Sequence, residues 1–366
     1  MRIFILSDIH STHTQRWVKA LADKGCEIFL FGLLACDDSF YRSLPHVTVY
    51  NYGFTFHTKS RLNRWILGKA LYFKSLKTIK KKIKEFKPDI VHAHYASSYG
   101  LLGALTHFHP LVVSVWGSDV YSYPQAGFIY KKLLQHTFKK ADLILSTSQC
   151  MAQETNKYTN KSIGITPFGV DTQLFKPEKT DKQDFVIGTV KTLSANYGID
   201  LLIRAFAEIS QRLTNKNIRL WIIGDGPDKA QLQELCHQLN ITEKVDFKGF
   251  VNNNELPAIY NAFDIMVALS HKESFGVVAI EAMSCGCPVV VSDAEGFCEI
   301  IDDGTDGMIV PRGDYKAAAE AIQKLVEDAD LRHTFGQNGR QKIMQRYQWE
   351  LNVNQMIDYY KTLLGE

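Results

Sequence analysis

No apolar run in this chain of 366 residues approaches the roughly 20 residues that a membrane span requires. The N-terminus reads Met1-Arg2-Ile3-Phe4-Ile5-Leu6-Ser7-Asp8. Its apolar part is too short for a secretory h-region and lacks a small-residue cleavage site, so it is read as the first buried strand of a sheet. The seven cysteines are odd in number and scattered, and they form neither a disulfide framework nor a zinc pattern. Reduced thiols and a cytoplasmic location are expected. A net charge of only +3 excludes a polyanion binder in which the whole surface is basic. Low-complexity segments and short internal repeats are absent. What remains, 45% hydrophobic and 22% charged residues, is the composition of a soluble globular enzyme, and the length predicts two domains.

Strand-length apolar runs alternate with helical spacing throughout. In the first half the runs are 2–7, 26–31, 89–94, 111–116 and 143–146. In the second half they are 185–190, 219–223, 245–247, 265–267 and 288–291. This rhythm predicts an α/β fold with two parallel sheets and helices on both faces. The polar segment 176–184 has linker composition, which places the boundary between domains at 175/176. Ligands of such sheets sit at the carboxyl ends of the strands, so functional residues are expected in the loops that follow strands.

The densest chemistry lies at 269–288. A strand ends near Leu269, a polar loop carries Lys272 and Glu273, and a helix begins near Gly276 with Glu281 on its second turn. Unpaired N–H groups near Phe275, Gly276 and Val277 attract an anion such as a phosphate, and Gly276 permits close approach to the backbone. Two carboxylates flanking that site suit a nucleotide sugar, because carboxylates accept hydrogen bonds from ribose and hexose hydroxyls. The plain alternative is an ordinary strand–loop–helix with solvated glutamates.

The Glu273-x7-Glu281 pair and its surroundings resemble the signature of the retaining, GT-B-fold glycosyltransferases of the glycosyltransferase 4 family. The likeness extends through Pro167-Phe168-Gly169-Val170-Asp171, Phe175-x-Pro177, Gly224-Asp225-Gly226-Pro227, Gly249-Phe250-Val251, Gly286-x-Pro288 and Tyr347-x-Trp349. The resemblance implies an acceptor-binding Rossmann-like domain at 1–175 and a nucleotide-sugar-binding one at 176–349, facing a central cleft. A final helix at about 350–366 would pack back on the first domain. It implies that Glu273 contacts the transferred sugar and Glu281 the ribose, with Gly224 and Gly226 in the donor site. The donor would be a nucleoside diphosphate sugar, UDP-linked, and the acceptor a glycan or a lipid-linked saccharide of bacterial cell-surface polysaccharide synthesis. Neither a cofactor nor a metal is expected. The chain departs from the family where a cation pair usually neutralises the diphosphate: Thr192 and Tyr197 stand there, and Lys191 or Lys272 supplies the charge instead.

In the first half, the loop after strand one carries His10 and His13, the latter a candidate ligand contact. Trp116 replaces the family's loop histidine. Asp119 in the same loop is a candidate for orienting a sugar or, alternatively, a helix cap. His92-x-His94 puts two imidazoles on one face of a strand end, which lines the cleft by resemblance. Residues Lys69 to Lys87 hold eight lysines and one glutamate, with Leu76, Ile79, Ile83 and Phe86 at helical spacing. A second basic patch, Lys131-Lys132 and Lys139-Lys140, adjoins Phe128 and Tyr130. Contact of the 69–87 stretch with an anionic membrane surface is expected, and no nucleic-acid role. Two other readings of the chain are a nucleotide-sugar epimerase and a non-catalytic, partner-dependent subunit of the same fold.

Overall fold

The computed structural model describes residues 1–54, 73–181 and 184–366. Contacts divide the chain into two compact units, Met1–Pro167 with Val353–Glu366, and Phe168–Asn352. The division falls before the expected 175/176 break. Its cause is aromatic: Phe168 meets Phe275 edge-on at 6.1 Å and Phe175 packs on Tyr260 at 6.1 Å, so this stretch belongs to the second core.

The first unit is a seven-stranded sheet of β1 (Arg2–Leu6), β2 (Glu27–Leu34), β3 (Val47–Phe54), β4 (Ile90–His94), β5 (Leu111–Val115), β6 (Leu143–Ser146) and β7 (Ile163–Ile165). The spatial order is β3-β2-β1-β4-β5-β6-β7, with every pairing parallel. Its helices are α1 (Thr12–Asp23), α2 (Ser39–Arg42), α3 (Leu76–Phe86), α4 (Tyr99–Thr106), α5 (Ser118–Tyr121), α6 (Phe128–Lys140) and α7 (Gln149–Asn156). Strands β4 and β5 are buried along their whole length, and the polar residues within them, His92, His94 and Ser114, are buried with them. Helix α1 forms because Trp17, Val18 and Leu21 recur on one face, and that face is buried.

The second unit repeats the plan with six strands: β8 (Phe185–Val190), β9 (Ile218–Ile223), β10 (Val245–Gly249), β11 (Ile265–Ala268), β12 (Val289–Ser292) and β13 (Met308–Val310). The order is β10-β9-β8-β11-β12-β13, again parallel. Its helices are α8 (Ile199–Arg212), α9 (Lys229–Gln238), α10 (Leu256–Ala262), α11 (Val277–Ser284), α12 (Glu295–Ile300), α13 (Tyr315–Glu327) and α14 (Ala329–Arg346). Leu202, Ile203, Phe206 and Ile209 of α8 fill the core between sheet and helices. The last helix, α15 (Trp349–Leu364), runs into the first unit, where Tyr360 is fully buried and its hydroxyl lies 2.6 Å from His92 Nδ1.

Both sheets therefore grow outward from a first strand, then restart on its other side. The switch lies between β1 and β4 in one unit and between β8 and β11 in the other. The loops at the carboxyl ends of these four strands are where an open parallel sheet receives a ligand.

The basic stretch at 69–87 is corrected in part. Lys69 to Tyr72 lie outside the described residues. The remainder contains α3, and Ile79, Ile83 and Phe86 of its apolar stripe are buried in the first core, with Phe86 against Phe4 and Phe29. That face is committed to protein and is not available to lipid. Helix α3 offers the surface its lysines and Glu85.

Candidate functional site

In the second unit, Lys191 follows β8 and Glu273 follows β11, one on each side of the switch. Their side chains meet at 2.6 Å between Nζ and Oε2, with only 10% and 13% exposed. The ammonium also lies 4.9 Å from the Tyr197 ring centre and 5.8 Å from that of Phe297. An ion pair so withdrawn from water is held by geometry on both sides. Tyr197, which occupies a cation's place in the family pattern, serves here as an aromatic wall for the lysine. Lys272 is exposed, and its carbonyl accepts a bond of 3.2 Å from Asn196 Nδ2. Of the two lysines, Lys191 is the one brought to the glutamate.

The glycines of the β9 turn have a structural duty. A Cβ on Gly224 would fall 2.0 Å from the Lys191 carbonyl oxygen, and one on Gly226 would fall 2.3 Å from that of Leu193. Leu193 N–H donates to Asp225 O at 3.0 Å, and Lys191 N–H to Ile223 O at 3.0 Å. Gly224 and Gly226 thus let the turn lie flat against the segment that carries Lys191, and they position it.

Helix α11 starts beside the pair. Gly276 precedes it with φ +106°, a left-handed conformation that an L side chain rarely takes. A Cβ there would also meet Phe297 at 2.8 Å. The Phe275 ring is buried against Phe168 and, at 5.9 Å, Tyr347, so Phe275 can offer a ligand its backbone only. Together with Val277 it belongs to the helix start, where N–H groups lack intrahelical acceptors. Glu281, one helical turn further, is 8% exposed and accepts a 2.9 Å hydrogen bond from the Tyr260 hydroxyl. Burial, with the neighbouring carboxylate, pushes the Tyr260 phenol well above its ordinary range, so it stays a donor.

Three contributors have no readable signal in the sequence. Tyr260 reaches Glu281 from a separate helix. Gly296 allows α12 to lie on the 273–275 loop: its N–H donates to Glu273 O at 3.0 Å, and a Cβ would stand 2.5 Å from Phe275 N. Arg312 braces the same loop, donating to His271 O at 3.3 Å while held by Asp293 at 2.8 Å and Glu295 at 3.1 Å.

In the first unit the β1 and β4 loops also converge. His94 Nδ1 lies 2.9 Å from Ser7 Oγ, which is 2.7 Å from Thr14 Oγ1. The His94 ring is 4.5 Å from Trp116, and His13 meets Trp116 edge-on at 5.8 Å. Burial lowers the His13 pKa to about 4, helped by Arg16, and that of His92 to about 3. His94 is pushed well down by burial and by its neighbouring imidazoles. These imidazoles are neutral near pH 7. His92 spends both nitrogens on hydroxyls, Tyr360 and Ser114 Oγ at 2.8 Å.

Asp119 is fully buried, and its carboxylate accepts from Ala96 N–H at 2.9 Å, Gly117 N–H at 2.8 Å and Trp116 N–H at 3.2 Å. Desolvation raises its pKa, and the backbone donors oppose that rise. The carboxylate joins the loop after β4 to the loop after β5. Asp119, expected either to orient a sugar or to cap a helix, is placed where it holds the backbone of both loops. Among the described residues, no group of three or more His, Cys, Asp or Glu is arranged to hold a metal ion.

Comparison with known proteins matches residues 2–148 to the "Glycosyl transferase 4-like" family and 170–342 to "Glycosyl transferases group 1". An uncharacterized glycosyltransferase of Methanocaldococcus jannaschii is 29% identical over 301 residues, 76% of each chain. Among solved structures, sucrose-phosphate synthase of Thermosynechococcus elongatus superposes with TM-score 0.84 at 21% identity, covering 100% of this chain and 99% of that one. Anabaena HepE, solved in complex with UDP and glucose, gives 0.78 at 22% identity and 99% of each chain. These two likenesses establish the fold, which is GT-B.

Proposed function

The chain belongs to the group 1, glycosyltransferase 4-type glycosyltransferases, and from that premise we propose that it moves a hexosyl unit from a UDP-sugar to a glycan or lipid-linked acceptor with retention at the anomeric carbon. Bacterial cell-surface polysaccharide synthesis is the proposed setting. The reading is carried by one observation, the Lys191–Glu273 pair beside the start of α11 with Glu281 on the same helix. UDP as the nucleotide draws support from its presence in the Anabaena HepE complex.

The chemistry follows from these groups. A diphosphate entering the site meets the α11 N–H groups and the Lys191 ammonium. Lys191 then shifts its partnership from Glu273 toward the phosphate, freeing the Glu273 carboxylate to accept hydrogen bonds from the sugar. Glu281 accepts from the ribose hydroxyls. The bond from the anomeric carbon to the phosphate oxygen breaks, and the acceptor oxygen forms its bond on the same face. The acceptor proton passes to the leaving phosphate. A lysine and a helix terminus supply the charge that a divalent metal supplies elsewhere, so transfer is expected to proceed in chelator.

The test is to incubate the protein with UDP-, GDP- and ADP-sugars in chelator and follow nucleotide release and transfer. Release from one UDP-sugar, lost in Glu273→Gln, supports the reading. Strict dependence on Mn²⁺ contradicts metal independence. Tyr197 in a cation's place favours one other reading, a donor-binding subunit without turnover. Saturable UDP binding with no release across many acceptors would select it.

A further inference from the structure

Behind the segment that carries Lys191, the second unit holds a cavity of about 430 Å³. That volume is within the range of small-ligand pockets. Helices α8 and α9 pack against each other and form two of its sides. The chain steps from β8 to β9 in one direction across the sheet and from β11 to β12 in the other. Right-handed crossovers therefore put α8 and α11 on opposite faces, and the cavity is separate from the site at the start of α11.

The 191–197 segment forms a third side through Ser194 and Ala195, and His271 of the loop after β11 completes the rim. Backbone bonds stitch these parts together. Asp228 N–H donates to Leu193 O at 3.1 Å, and His271 N–H donates to Asn196 O at 2.8 Å. A molecule in the cavity would thus press on both loops that hold the Lys191–Glu273 pair.

The lining combines an apolar floor with charges of both signs. Ile199 and Leu232 are buried, and Leu235 extends the floor. Asp200 and Asp228 bring two carboxylates and Arg204 one guanidinium. These charges are uncommitted. Asp228 stands at the N-cap of α9, where an aspartate ordinarily accepts a helix N–H, and its side chain makes no such bond. Arg204 lies one turn after Asp200 on α8, the spacing of a helical ion pair. Among the described residues, neither pairs with the other or with a third group.

Charge separates the possible occupants. Two carboxylates against one guanidinium disfavour a phosphate, so this is not a second place for a nucleotide sugar. A simple amine would leave Arg204 unmatched, and a simple acid would leave both aspartates unmatched. A zwitterion with an apolar side group answers every part of the lining. Its ammonium donates to Asp200 and Asp228, its carboxylate accepts from Arg204, and its side group covers the floor.

We propose that this cavity is an effector site for a free α-amino acid with an apolar side chain, whose binding stiffens the loops that hold the Lys191–Glu273 pair. The proposal rests on the second unit alone and stands whether or not the chain transfers sugar.

The experiment is calorimetric titration of the full chain with L-leucine, L-methionine and L-phenylalanine. Each is compared with its amide, which lacks the carboxylate, and with its deaminated acid, which lacks the ammonium. At least one amino acid should bind saturably, and its two truncated forms about tenfold or more weaker, the loss expected for one hydrogen bond between charged groups. Arg204→Gln and Asp228→Asn should each weaken binding by a similar factor. Gln231→Trp, which fills the cavity from its exposed rim, should abolish it. Thermal unfolding without ligand checks that the variants are folded. Amide hydrogen exchange over 191–197 and 271–273 should slow when the amino acid is bound. No saturable binding by any of the three overturns the proposal, as does equal binding of the truncated forms. Wild-type affinity in the three folded variants overturns the site. Binding with unchanged exchange in both loops overturns the effector role.

Discussion

Lys191 and Glu273 are each costly to bury alone and tolerable together. Removing one partner of such a pair is expected to cost about 3 kcal/mol, because the other charge stays in a site that excludes most water. Lys191→Met should therefore lower thermal stability and cut turnover by about 100-fold or more, the size of effect expected for a lost donor to a developing anion. Lys191→Met with Glu273→Gln should regain most of the stability and none of the activity. A double variant that remains as unstable as the single one would show that the pair is not the unit acting here. Tyr260→Phe removes the phenol from Glu281 and should cost about 1–2 kcal/mol while raising the donor KM. An unchanged KM would detach Tyr260 from donor binding.

His92 gives a pH prediction at the same scale. In the unfolded chain it takes a proton below its ordinary value of 6.5, whereas in the fold it takes one only near 3. Its contribution to stability is complete above 6.5 and is lost as pH falls from there toward 3. By pH 4 the loss amounts to about 3 kcal/mol. Unfolding followed from pH 7 to pH 4 should show a steeper decline in the wild type than in His92→Gln. Parallel curves would refute it.

At the scale of elements, the turn after β9 and the end of β10 depend on glycine for different reasons. Gly224→Ala sets a methyl 2.0 Å from a carbonyl oxygen, so Lys191 must move; a loss of about 3 kcal/mol and a raised donor KM are expected. Gly249→Ala, at φ +73° with no atom within 4 Å, meets only the left-handed strain of about 1–2 kcal/mol. Thermal unfolding of the two variants, ranked in that order, checks the argument, and the reverse order would break it.

Elements also mark what the sequence could and could not say. The alternation of strands and helices was legible because apolar period and burial agree. Glu273 and Glu281 were legible because their spacing sits on one local motif. The contact between Lys191 and Glu273 was not, since the partners are 82 positions apart and no local pattern joins them. Asp119 read as a sugar-orienting carboxylate or a helix cap, and its bond from Ala96 was not legible because that donor comes from a different strand end. For α3, amphipathic spacing announced an apolar partner without distinguishing lipid from a protein core, and the core took it.

The whole molecule consists of two units with the same strand plan, and their chemistry is unequal. The second unit concentrates charge at its switch point, with Lys191, Glu273, Glu281 and the braced Arg312. The first gathers neutral imidazoles, hydroxyls and Trp116 at its own. An anionic donor suits the former, and a neutral saccharide acceptor suits the latter. The sugar and the acceptor depend on pocket shape, which short motifs do not encode. A thermal-shift screen with UDP-, GDP- and ADP-sugars should raise the unfolding temperature with a UDP-sugar alone, through mass action on the native state.

The central claim is that the Lys191–Glu273 pair at the second switch point handles the donor. Its most direct test is the rate of UDP release from the UDP-sugar selected in that screen, in chelator, for wild type, Lys191→Met and Glu273→Gln. The account predicts steady release by the wild type and a fall of about 100-fold or more in both folded variants. Release at the wild-type rate by either folded variant would contradict it.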